Sequence, residues 1–323
     1  MLTHLARRLL LAVPLLLSVM VLIFVLVELA PGDACDAFLS PDMDPKSVEA
    51  IRASMGCDEP AWTRFALQAR NMARLEFGVS ITQQRPVAAI LLEALPNTVL
   101  LSGLTVLFAQ GAGVAIGIAQ AVRRRTATDG ALSVGTLLFA SMPGFWLALM
   151  LQLLFALVWP ILPSSGMKDP VIHDYMPPLA QLLDNLVHLV LPAATMGLAA
   201  AASDARYMRS AMLEVIDQDY IRTARAKGLP ERTVILRHAL RNALLPMVTI
   251  LGLNLPFLFS GAVLVEYVFA WPGMGRVIVG AIQSQDMPLI MGSFFGFTLL
   301  VVAGGIVSDL LYGVVDPRIR YRG

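Results

Sequence analysis

The sequence predicts an all-α protein that crosses a membrane several times. Of its 323 residues, 57% are apolar and only 15% charged, and the mean hydropathy is +0.71. Six apolar stretches, each long enough for a bilayer-spanning helix, alternate with polar segments. A soluble core could not hide this much apolar surface. The formal net charge is +1, so the whole-chain balance predicts no nucleic-acid partner; the partner it does predict is the lipid bilayer.

The first stretch covers residues 9–29, after His4, Arg7 and Arg8. As a helix it would be about 31 Å long, longer than the apolar core of a secretory signal, and it reads as a retained span closing a 1–30 segment. Pro31-Gly32-Asp33 ends it, and residues 31–95 read as a polar extracytoplasmic segment holding the only cysteines, Cys35 and Cys57. Outside the cytoplasm these two would close a loop worth about 3 kcal/mol if bonded; two separate thiols are the alternative.

The remaining spans fall in a five-helix core over 96–316. The second, 98–122, ends at Arg123-Arg124-Arg125 and contains Gly111, Gly113 and Gly117. The G-x-x-x-G from Gly113 to Gly117 lets a neighbouring helix approach closely; it lacks the spacing and preceding strand of a dinucleotide site. The third, 132–159, carries Pro143-Gly144, where a kink is expected. The fourth, 186–205, has Pro192 and an alanine run at 199–202, and the fifth is 244–265. Residues 266–288 are too broken for a span and too apolar for a free loop, which suggests an outer-face hairpin. The sixth span is 289–314, followed by a tail at 317–323.

Six spans put both termini on one side. Arg7 and Arg8, the 123–125 triplet, eight basic residues in 206–243 and three in the tail make sixteen of the 24 Lys and Arg. This bias places both termini and the 206–243 loop in the cytoplasm.

Residues 217–246 form the longest polar island between spans, with six basic residues against three acidic ones. Asp219 suits a helix start, Gly228 a left-handed helix end, and Pro230 the first turn of the next helix. The helix between, 220–227, would be about 12 Å long and carry Arg222, Arg225 and Lys227 on a stem of Ala224 and Ala226. A loop obeying only the positive-inside rule would need no such order.

Thr223-Ala224, Gly228 and His238-Ala239-Leu240-Arg241 fall at the spacing of the EAA loop of ABC-importer permeases. The run from Arg222 to Leu229 and the run from Arg237 to Pro246 resemble the dipeptide, oligopeptide and nickel branch of that family. Arg222 replaces the general motif's Glu and Leu240-Arg241 its closing Leu-Pro, both as in that branch. Phe77-Gly78-Val79-Ser80-Ile81, Arg85-Pro86-Val87, Leu95-Pro96-Asn97-Thr98, Leu162-Pro163-Ser164-Ser165-Gly166 and Asp316-Pro317-Arg318 extend the resemblance along the chain. It implies a type I ABC-importer permease fold in the cell inner membrane. It also implies a second permease subunit, two cytoplasmic ATPase subunits that bind ATP and Mg, and an external substrate-binding protein. Short peptides are the cargo it implies first, with nickel, glutathione, opines or oligosaccharides in relatives. Tyr220, Arg222, Thr223, Ala224, Arg225, Lys227, Gly228 and Leu229 are the implied ATPase-docking residues. No residue identifies a substrate-binding site.

Other chemistries find little support. There is no G-x-x-x-x-G-K-[ST] loop, so no P-loop ATPase is expected in the chain, and no cofactor. His4, His173, His188 and His238 are scattered and lack H-E-x-x-H, so no metal site is expected. Glu28, Asp204, Glu266 and Asp309 would be the carboxylates of an ion-coupled transporter or intramembrane enzyme, but each lies near a predicted span end, within reach of water. The helix-Gly-helix shape of the island also suits a DNA binder, a reading that its attachment to spans at both ends disfavours.

Overall fold

The computed structural model describes residues 2–29, 44–46, 48–49, 52 and 59–315. Cys35, Cys57 and Asp316-Pro317-Arg318 lie outside the described residues. Among those described, the structure is helical, with one isolated antiparallel bridge between Val79 and Pro86. The helices are α1 (Leu2–Glu28), α2 (Ala61–Ala73), α3 (Val87–Val122), α4 (Ala127–Ser141), α5 (Gly144–Gln152), α6 (Pro178–Ile216), α7 (Asp219–Ala226), α8 (Leu240–Val268), α9 (Met274–Gln283) and α10 (Met287–Val315). α3, α6 and the described part of α10 are each long and apolar enough to cross a membrane, as is the bent pair of α4 with α5.

Helix ends follow local chemistry. The Pro86 carbonyl accepts from Ala89 and Ile90 and opens α3, so this helix starts eleven residues before the predicted span and runs through Pro96. Thr126 caps α4, its hydroxyl accepting the Asp129 N–H at 3.3 Å. Met142, held extended before a proline, ends α4. The Pro143-Gly144 break is sharper than a kink: the two halves of the third predicted span are bent by 107°. α5 then widens into a π-helix at Leu153–Val158. Pro178 sits in the first turn of α6, which at 39 residues is about 58 Å long, far beyond a bilayer core of about 30 Å.

The chain divides into two compact units. One comprises Leu2–Val99 and Pro272–Ala303. Its core joins Met20 and Ile23 of α1, Met72 of α2, and Met291 and Phe295 of α10. A second cluster joins Val87, Ile90, Leu91 and Ala94 of α3 to Met274 and Ala281 of α9 and Leu289 of α10. Asp286, fully buried, fastens the loop before α10 to the turn before α3. Its carboxylate accepts from the hydroxyls of Ser80 (2.5 Å) and Thr82 (2.8 Å) and from the N–H groups of Thr82 (3.0 Å) and Leu289 (3.1 Å). Burial alone would push its pKa up, but the donors from Ser80, Thr82 and Leu289 outweigh burial and hold it below the ordinary value.

Because its folded pKa is depressed, Asp286 contributes stability above its unfolded pKa of about 3.9 and loses it as pH falls through the folded value. Asp286→Asn turns one acceptor into a donor aimed at donors. We predict a loss of about 1–3 kcal/mol at neutral pH and a flatter fall of melting temperature in acid, checked by thermal unfolding of the purified protein between about pH 3 and 7. An unchanged melting curve would refute the assignment.

The other unit comprises Leu100–Trp271 and the residues of α10 from Gly304. Three clusters build its core. One sets Leu101 against Leu189, Ala193 and Trp271, and another sets Ala148 against Leu191, Val265 and Phe269. The third joins Ala121 of α3, Met208 and Met212 of α6, Ile221 and Ala224 of α7, Val234 and Ala239, and Ala243 and Met247 of α8.

Candidate functional site

The third cluster is the seat of the polar island. α7 has two faces: Ile221 and Ala224, one helical turn apart, are buried, while Tyr220, Arg222, Thr223, Arg225, Lys227, Gly228 and Leu229 are exposed. The buried face lies on Met208 and Met212, whose flexible thioether chains fill the space beneath a short helix. Apolar burial holds α7 in place, leaving its basic face outward.

Two sequence expectations are corrected. Asp219 does not cap the helix: Gln218 holds the cap position without a side-chain bond, and Asp219 opens the first turn, facing Arg222 at 3.4 Å. There its charge complements the helix dipole. Ala224, expected on the docking surface, has only 6% of its surface exposed; three residues from Ile221, it falls on the inward stripe.

The corner after α7 is closed by three features. Gly228 adopts φ +75°, and its N–H donates to the Arg225 carbonyl at 2.9 Å. The Pro230 carbonyl accepts from Thr233 (2.8 Å) and Val234 (3.1 Å) and restarts the chain as helix. The Arg225 guanidinium reaches across the corner to Glu231, Nε to Oε2 at 3.1 Å and Nη2 to Oε1 at 2.7 Å. This hydrogen bond to Arg225 holds the Glu231 pKa below its ordinary value. A π-helical turn, Val234–Ala239, joins the corner to α8.

A second tie was missed from sequence. Arg209 of α6 grips Asp129 of α4 through Nε and Nη2, at 3.2 and 3.0 Å, and the Arg125 N–H donates to the same carboxylate at 3.1 Å. The Arg123–Arg125 turn is thereby fixed to the helix that carries α7. Eighty residues separate the pair, so no local pattern announces it.

Three of the four carboxylates weighed for ion coupling have described side chains. Glu28 pairs with Arg64. Asp204 is 3% exposed and accepts from the Gln110 amide at 2.8 Å; α6 runs on to Ile216, so this residue is not at a helix end as expected. Glu266 is also buried, and the Asp309 side chain lies outside the described residues. The histidines are less scattered than they looked. His173 and His188 both turn Nδ1 to Asp184, at 2.6 and 3.2 Å. Among the described residues, no group of three or more His, Cys, Asp or Glu is placed to hold a metal ion.

The site is thus a short basic helix seated on long apolar ones and closed by a Gly-Pro corner. The chain belongs to the family described as binding-protein-dependent transport system inner membrane component, whose model matches residues 113–321; the companion model for the N-terminal part of that component matches residues 1–102. It is therefore a multi-pass inner-membrane transport subunit of the dipeptide and oligopeptide permease branch. It is 35% identical to the oligopeptide transport system permease protein AppB of Bacillus subtilis, over 99% of this chain and all of the relative. It is also 35% identical to the glutathione transport system permease protein GsiC of Salmonella choleraesuis, over the full length of both. An inward-facing structure of the MetNI methionine ABC transporter shares the fold at a TM-score of 0.56 and 18% identity, over 70% of this chain and 96% of that one.

Proposed function

We propose that this chain is one transmembrane subunit of an ATP-driven importer that receives short peptides from an external binding protein and passes them inward by alternating access. A second permease and two cytoplasmic ATPases, which bind ATP and Mg, complete the machine, and six spans put both termini in the cytoplasm. The cargo follows from the relatives' names: oligopeptides for one and glutathione, itself a tripeptide, for another.

The observation that carries the mechanism is the two-faced α7. Its outer face, from Tyr220 to Leu229, presents Arg222 and Lys227 to the solvent. Its inner face is locked to α3, α6 and α8 through one apolar cluster. Closing of the ATPases would move α7, and close packing would pass that displacement to the helices beneath, since packed cores switch rather than deform gradually. The test is purification of this chain in mild detergent with mass spectrometry of its companions. A P-loop ATPase and a second permease are expected; a chain that purifies alone and still transports peptides would overturn the proposal.

A further inference from the structure

α4 is seated differently from its neighbours. Among the described residues of the unit around Leu100–Trp271, it is the one helix that gives no side chain to any of the three apolar clusters. It nevertheless runs along α6. Asp129, Ser133, Thr136 and Ala140 follow the 3–4 residue spacing of its inward side, and all are polar or small. Its buried side chains are Asp129 and Thr136, while Val134, Leu137 and Leu138 are exposed. Apolar burial therefore does not fasten α4 to α6; a polar network does.

Asp129 is the centre of that network, with only 6% of its surface exposed. Besides the two nitrogens of Arg209, its carboxylate accepts from the Ser133 hydroxyl at 3.4 Å. The buried Gln120 amide of α3 donates to the same hydroxyl at 3.3 Å. A bidentate guanidinium-carboxylate pair is strong and directional, so it sets the rotation of α4 as well as its position. The place of Arg209 on α6 matters equally. It directly follows Met208 and lies less than one turn before Met212, the residues on which α7 rests. About 18 Å along α4 from Asp129, at 1.5 Å per residue, comes the 107° break at Pro143. Beyond the break α5 is held by packing, with Ala148 against Leu191, Val265 and Phe269. α4 is an arm gripped at one end beside the seat of α7 and hinged at the other to the packed core.

We infer that Asp129 and Arg209 are positioning residues through which a displacement of α7 reaches the broken span. The pair makes α4 move with α6, and the bend at Pro143 takes up the change. The assignment rests on α7 as the ATPase-docking helix, and it adds a link from that helix to a second span.

The test uses the intact importer with its ATPases in nanodiscs, in a parent chain carrying Cys35→Ser and Cys57→Ser. Pulsed electron spin resonance reads two pairs of nitroxide labels, each with and without ATP and vanadate. One pair, on Val134→Cys and Ser210→Cys, reports α4 against α6; the other, on Val134→Cys and Leu149→Cys, reports the bend. In the parent, ATP should shift the bend pair and leave the α4-α6 pair in one narrow distribution. Asp129→Asn and Arg209→Gln should each broaden the α4-α6 pair, abolish the shift of the bend pair and lower peptide uptake per ATP hydrolysed several-fold. The double variant should be no worse than either single one, because both remove the same interaction. Arg209→Lys keeps the charge and one hydrogen bond, and should restore most of what Arg209→Gln loses. A bend shift that survives Asp129→Asn overturns the link and leaves the role of α7 standing, as does equal loss in Arg209→Lys and Arg209→Gln. A parent that takes up peptide with no bend shift also overturns the link alone. A parent that retains no ATPase overturns the docking role of α7 and the link with it.

Discussion

Gly228→Pro is expected to reduce peptide uptake by at least about tenfold per folded molecule while the protein remains in the membrane. Three local conflicts produce the effect. Gly228 sits at φ +75°, whereas proline is locked near −65°. Its N–H donates to the Arg225 carbonyl at 2.9 Å, and proline has no N–H. Lys227 ends α7 near helical geometry, φ −77° and ψ 3°, which a following proline disfavours. The corner must reopen, and the bidentate bond from Arg225 to Glu231 opens with it. The exposed face of α7 is then turned while Ile221 and Ala224 remain on the core. Loss of coupling should therefore exceed loss of protein. Gly228→Ala separates geometry from bulk: a Cβ there meets nothing within 4 Å, so the cost is the left-handed backbone alone, about 1–2 kcal/mol, and most uptake should survive. Uptake assays normalised to membrane abundance, with ATPase retention on purification, check both. Normal uptake by the proline variant would refute the role assigned to α7.

The Gly228 corner was legible because everything that makes it is local: a left-handed glycine, a proline two residues on, and a short helix before. The apolar stretches behind the helices were legible for a similar reason, since a bilayer-length run needs no partner to announce itself. Ala224 entered the docking set through the resemblance, as part of a contiguous run, and not through its place on the helix. The spacing of Ile221 and Ala224 held the opposite answer, visible only once Met208 and Met212 were beneath them. The Asp286 cluster joins residues 206 and 204 positions apart, and Asp129 finds Arg209 eighty residues away. Such pairs depend on which helices become neighbours.

Gly117→Leu should be the most damaging substitution within the spans, and its contrast with Gly111→Ala tests why. A Cβ on Gly117 would lie 2.6 Å from the Met208 Cβ, 2.7 Å from the Ala205 carbonyl oxygen and 3.0 Å from the Arg209 nitrogen. Two of these are backbone atoms and cannot swing aside, so α3 and α6 must separate. Gly113 meets the same helix one turn earlier, 2.5 Å from the Asp204 Cβ, which makes the G-x-x-x-G a contact stripe against α6. Overpacking of this kind costs about 1–3 kcal/mol, and a leucine lies at or beyond the upper end. The damage is not confined to the pair. Met208 and Met212 are the residues on which Ile221 of α7 rests, so a displaced α6 shifts the seat of the basic helix as well. Gly117→Leu should therefore lower membrane abundance several-fold and, in what remains, weaken retention of the ATPase. Gly111 and Gly103 lie on the same helix with nothing within 4 Å of a Cβ, and alanine there should be neutral or stabilising by up to about 1 kcal/mol through helix propensity. Abundance, melting temperature and companion yield, measured on the two variants side by side, decide the matter. If Gly117→Leu is as abundant and as well partnered as Gly111→Ala, close approach of α3 and α6 is not what supports the coupling helix.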